Sequence, residues 1–141
     1  MASDTQTAPV SKKGLLAGRI ISGLVIAFLA FDGVFKFVKP APAPVVETFA
    51  RLGWSLNLAP VLGTILLVSV ALYVIPVTSV LGAILLTGYL GGAVATHFRV
   101  GDPLFSHVLF PTYVGVLLWG GLYLREPRLR ALIPLRATKT N

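Results

Sequence analysis

Six side chains carry the chemistry this sequence could do: Asp32, Lys36, His97, Arg99, Asp102 and His107. Asp32 and Lys36 are four residues apart, so on a helix they share one face, a turn from each other. An acid placed before a base at this spacing can neutralise itself. It then serves either as a structural ion pair that lowers the cost of membrane insertion, or as a binding or proton-handling pair at the floor of a pocket. His97 and His107 flank a short loop and can approach one another. A two-His haem or metal site needs both imidazoles to converge, with acceptors for their remaining nitrogens, and Asp102 is placed to be one such acceptor. No Glu-x-x-His or His-Glu-x-x-His pattern accompanies them, so no metal site is assigned and a haem has no supporting motif. Pro111 has no N–H to give the carbonyl of His107, which leaves that oxygen for a ligand hydrogen bond beside the His107 ring.

The absence of cysteine is a firm exclusion. Disulfide exchange, thiolate nucleophiles, iron–sulfur clusters and Cys-ligated zinc within this chain go with it. So do mechanisms that pass electrons through cysteine pairs to a quinone. No glycine run follows a strand, so no phosphate cradle is present.

The elements that must position these residues follow from composition. The 141 residues are 55% hydrophobic and 12% charged, about half the charge of an ordinary soluble domain, and the mean hydropathy is +0.84. No Lys, Arg, Asp or Glu falls between Arg51 and Arg99. A soluble protein of this size has no core large enough to hide that stretch, so the chain belongs in a membrane. The fold expected is an all-α membrane protein, a bundle of four transmembrane helices, in one domain over residues 14–135 with tails at 1–13 and 136–141. The spans fall at about 15–38, 58–75, 80–98 and 104–124, each near the ~20 residues needed to cross the hydrocarbon core. Ala41-Pro42-Ala43 resembles a signal-peptidase box, but Asp32, Lys36 and Lys39 would burden the cleavage region, so the first span reads as a retained helix.

Between the first two spans lies an outer loop, residues 39–57. Pro40, Pro42 and Pro44 exclude a regular helix at its start, while Val45–Leu52 fits a short helix on the membrane surface with Trp54 as an interfacial anchor. Thr78 or Ser79 can cap the third span, and Asp102 followed by Pro103 can cap the fourth. Trp119 and Tyr123 fit an aromatic belt at the inner end.

Of twelve basic residues, eight lie toward the ends of the chain: Lys12, Lys13, Arg19, Arg125, Arg128, Arg130, Arg136 and Lys139. The positive-inside rule makes both termini cytoplasmic. The net charge of +7 then reads as contact with anionic lipid headgroups rather than nucleic acid, since no basic stripe is interleaved with aromatics. With this topology all six chemistry-bearing residues come to the outer ends of their spans. Small-residue ridges at Gly14, Gly18 and Ser22, and at Gly88, Gly91, Gly92 and Thr96, let helices approach closely, within the bundle or in a homodimer.

With these residues in place, the chain resembles the DoxX-like family of small four-span bacterial membrane proteins. The stretches that carry the resemblance are Phe31-Asp32-Gly33-Val34-Phe35-Lys36, the run from Gly91 through His97-Phe98-Arg99 to Gly101, Pro103-Leu104-Phe105, and Leu118 through Arg125. The resemblance implies a bacterial inner-membrane protein. Some DoxX relatives are subunits of a thiosulfate:quinone oxidoreductase, and others are tied to membrane complexes for oxidative stress. It carries over no catalytic residue set. Three functions remain open. One is an accessory subunit holding a quinone- or lipid-like molecule in the outer half of the bundle, with Asp32, Lys36, His97, Arg99 and His107 as candidate binding or proton-handling residues and a membrane redox complex as partner. The second is an enzyme doing acid–base chemistry on a lipophilic substrate. The third is a small proton-coupled transporter with Asp32 as the coupling acid.

Overall fold

Ser11 starts the first helix. Its hydroxyl accepts a hydrogen bond from the Gly14 N–H at 3.1 Å, meeting one of the donors a helix start leaves unpaired. The computed structural model describes residues 10–133; Arg136, Lys139, the tail at 136–141 and most of the tail at 1–13 lie outside them. From Ser11 helix α1 runs over Lys12–Phe35 and buries Gly18, Ser22, Val25, Leu29 and Gly33, one stripe at three- and four-residue spacing. It begins three residues before the expected span and ends three before it, and Lys36 is its C-terminal cap.

Helix α2, Ala43–Leu52, follows the proline run and stops at Gly53, whose φ of +70° is open to glycine without strain. Its Val45 and Phe49 pack with Ala59, flanked by Phe35, Trp54 and Leu62, in a small cluster separate from the main core. A 3₁₀ turn at Leu56–Leu58 leads into α3, Ala59–Val74, and a second at Pro76–Thr78 leads into α4, Ser79–Arg99. Thr78 stands at the N-cap of α4, as expected, but makes no side-chain capping bond. The Thr78 hydroxyl instead donates back to the Leu72 carbonyl at 2.8 Å. Gly82 makes that turn close: a Cβ there would lie 2.2 Å from the Tyr73 backbone nitrogen.

The fourth span does not start as an α-helix. Leu104–Val108 winds as a π-turn, and α5, Phe110–Arg125, takes over with Pro111 in its first turn. Asp102 does not cap it. Its carboxylate turns back to ionic partners, which outweigh a neutral cap bond. A short helix α6, Pro127–Arg130, closes the described chain.

Helices α1, α3, α4 and α5 form a ring in that order, with α5 returning to α1. Leu66, Tyr73, Leu86, Leu118 and Leu122 are fully buried at its centre. Gly18 of α1 packs on the Gly121 carbonyl and Leu124 of α5, so both ends of the described chain share one end of the bundle with the α3–α4 turn. By contrast, Gly88, Gly91 and Gly92 face open space. Only the first of the two small-residue ridges is used inside the bundle. Outward-facing side chains such as Leu24, Phe31, Val61, Ile84 and Val116 are half or more exposed, the surface a bilayer covers. Four helical stretches, Lys12–Phe35, Leu56–Val74, Pro76–Arg99 and Leu104–Arg125, are long and apolar enough to cross a membrane, and the described residues contain no strand.

Candidate functional site

At the end of the bundle opposite the termini, glycines bring the first charged pair against its neighbours. Gly63 of α3 lies where a Cβ would come within 2.9 Å of the Gly33 carbonyl and 3.2 Å of the Lys36 Cβ. This close approach buries Lys36, whose side chain is 10% exposed, while Asp32 remains 45% exposed. The Lys36 Nζ donates to the Asp32 carboxylate at 2.5 Å and to the Asp32 carbonyl at 3.2 Å.

The second cluster is built across the α4–α5 turn. Gly101, at φ +72°, reverses the chain, and Asp102 then reaches back to His97, whose Nδ1 lies 2.5 Å from its Oδ2. Arg51, in the last turn of α2, donates to the other oxygen of the same carboxylate. The Asp102 side chain is 8% exposed. The hydrogen bond with His97, aided by the nearby Arg51 charge, holds its carboxyl below the usual carboxylate range. In return, Arg99 of α4 donates to the Leu52 carbonyl at 2.5 Å, at the end of α2 where the helix dipole favours a cation. The two arginines thus brace α2 onto the end of α4 from both sides.

Between these clusters lies a cavity of about 490 Å³. Asp32 and Lys36 line it from α1, Phe49 and Leu52 roof it from α2, and Trp54 closes the roof. Tyr89, Thr96 and His97 line it from α4, and Pro111 and Val114 from α5. Its walls are mainly apolar with a few convergent polar groups, the composition of a small-molecule site. Because Nδ1 of His97 is committed to Asp102, Nε2 is the ring nitrogen that remains for a ligand.

The structure therefore brings Asp32, Lys36 and His97 to one cavity and leaves two other candidates outside its lining. Arg99 is spent on α2. His107 pairs its Nδ1 with the Ser106 hydroxyl at 2.8 Å, with its ring centroid 6.1 Å from that of His97. Among the described residues no group of three His, Cys, Asp or Glu side chains could hold a metal ion. Sequence reasoning missed Arg51, Trp54 and Tyr89 as parts of this site. Arg51 had one signal, as the lone basic residue of an otherwise acidic or neutral surface helix. Tyr89 had none.

A different polar cluster joins the helices near the end of the bundle that carries the start of α1 and the end of α5. The Tyr73 hydroxyl donates to the Leu118 carbonyl at 2.8 Å, so the Ser22 hydroxyl, 3.1 Å away, is the donor toward it. Arg125 donates to Ser22 at 3.2 Å and lies over the Tyr73 ring. Trp119 donates to Thr87 at 2.8 Å and so links α5 to α4.

The DoxX-like family model matches residues 20–121, which takes in Asp32, Lys36, the His97–Asp102 turn and three complete helices. The chain belongs to the DoxX-like family. With its four apolar helices it is a multi-pass membrane protein. No curated protein and no solved structure matches it.

Proposed function

We propose that this protein is an accessory membrane subunit that holds a quinone- or lipid-like molecule in the outer half of its bundle. The observation that carries the reading is the cavity itself. It is apolar along its walls, polar at Asp32, Lys36 and His97, and roofed by a helix that two arginines brace in place. A lysine ammonium and an imidazole nitrogen suit carbonyl or hydroxyl oxygens on an otherwise hydrophobic ligand. Its proposed location is a bacterial inner membrane and its proposed partner a membrane redox complex, as the resemblance to DoxX relatives implies. In the absence of cysteine, electrons would come to a bound quinone from that partner.

One observation favours a second reading. An imidazole oriented by a buried carboxylate, as His97 is by Asp102, is the arrangement of a general base. It supports acid–base chemistry on a lipophilic substrate at the same cavity.

Native mass spectrometry of gently purified protein tests the first reading. Wild type should carry a small-molecule adduct that organic solvent releases. Ala93 lines the cavity, so Ala93→Phe should lose the adduct while keeping its thermal stability. A wild-type protein that is empty, or an adduct retained by Ala93→Phe, would overturn the proposal.

A further inference from the structure

Two sides of the cavity are covered. Phe28 of α1 and Phe110 of α5 meet edge to face across their seam, with ring centroids 5.6 Å apart. The braced helix α2 covers the outer end. Between α3 and α4 the situation differs. The two helices are pinned where Gly82 sits on the Tyr73 backbone, and toward the other end α4 presents glycines. Gly88 and Gly92, one turn apart, both line the cavity and are exposed. A Cβ on either would meet nothing within 4 Å. Ile65 of α3, also in the cavity wall, is 49% exposed.

We propose that the cavity is loaded sideways from the bilayer, through a gap between α3 and α4 bounded by Ile65, Gly88 and Gly92, and that its occupant is an uncharged amphiphile with one hydrocarbon chain lying in that gap. This rests on the reading of the cavity as a ligand site. The gap lies within membrane-spanning segments, so what reaches it comes through hydrocarbon rather than water. The head is uncharged because Asp32 and Lys36, the only Asp, Glu, Lys or Arg side chains lining the cavity among the described residues, neutralise each other at 2.5 Å. Asp102, behind His97, is likewise matched by Arg51. An ionised head would enter a low-dielectric site with no net counter-charge. The chain is single because about 490 Å³ is the volume of one drug-sized molecule, not of a two-chain phospholipid.

The neighbouring glycine supplies an internal control. Gly91 also faces open space, but it lines a separate groove with Gly115 and Trp119 instead of the cavity. Trp54 and Trp119 are the two tryptophans of the chain, so Trp119→Phe leaves Trp54, in the cavity roof, as the sole reporter. The full chain in unbrominated phosphatidylcholine nanodiscs is titrated with a long-chain alcohol brominated along its chain, which quenches tryptophan on contact. Saturable quenching of Trp54 is expected. Gly88→Leu with Gly92→Leu should weaken it about tenfold or more, equivalent to ~1.4 kcal/mol, and Gly91→Leu should leave it unchanged. Gly88→Ala, the smaller change, should weaken it in the same direction. A brominated alkyl sulfonate of equal chain length should bind at least about tenfold more weakly than the alcohol, and brominated phosphatidylcholine should quench without saturating. Alcohol binding untouched by both the double leucine variant and Gly88→Ala would overturn the sideways gap. Equal binding of the sulfonate would overturn the uncharged head, and saturable quenching by phosphatidylcholine would overturn the single chain. No saturable quenching by any probe in the parent would overturn the ligand site itself.

Discussion

His97 and Asp102 stand five residues apart, and their side chains meet at 2.5 Å across the turn that joins α4 to α5. The turn is short because Gly101 takes a positive φ, and it leaves Asp102 facing the last turn of the helix it follows. The pair fixes the orientation of the His97 ring in the wall of the cavity and, through Arg51, ties the roof helix to the same point.

Acid should loosen this joint. The folded-state pKa of Asp102 is held down, chiefly by its bond with His97, so its contribution to stability is complete above the ordinary carboxylate pKa of about 3.9 and is lost as pH falls through the lower folded value. Thermal unfolding measured across the acid range should show wild type losing stability below about pH 4. Asp102→Asn should be less stable at neutral pH and flatter over that range. Parallel profiles for the two proteins would contradict this role.

The ion pair on α1 should respond asymmetrically. Lys36 is 10% exposed and Asp32 45%, so removing the acid strands a buried cation, whereas removing the lysine leaves an acid that water still reaches. Asp32→Asn should cost about 1–3 kcal/mol, less than the ~3–5 of a fully buried pair, and Lys36→Met less than Asp32→Asn. Asp32→Leu combined with Lys36→Met should recover most of the loss in a thermal-stability assay. If the pair also holds a ligand, this double variant will fold and lose the adduct.

Glycines of the same helix should diverge. Gly82→Ala forces a Cβ to within 2.2 Å of the Tyr73 nitrogen and should cost about 1–3 kcal/mol or more through overpacking. Gly91→Ala meets nothing and should be neutral or stabilising by up to ~1 kcal/mol from helix propensity. Paired melting curves decide it.

Orientation can be read without background labelling, since the chain has no cysteine. Single cysteines at Ala43 and Val100 should react with an impermeant thiol reagent in intact cells, and one at Ala137 only after lysis. The reverse pattern would invert the topology drawn from the basic ends.

The four helices were legible because burial in lipid leaves long uncharged runs that composition alone exposes. Details set by competition between neighbours were not legible. Asp102 is a sound cap in isolation, yet it prefers two polar partners, one of which sits on a helix 51 residues away in sequence. Arg99 and Arg51 look alike on paper, but only packing decides that one takes a carbonyl and the other a carboxylate. The two glycine ridges also look alike, and only the ring order of the helices shows that one is spent on close contact and the other left open.

The most direct measurement is an experimental structure of the protein extracted with its native lipids into nanodiscs. Elongated density is expected with its polar end between Lys36 and His97 and its tail leaving past Gly88 and Gly92. A cavity holding only water, or density equally strong in the Gly91 groove and in every other lipid-facing furrow, would contradict a dedicated ligand site.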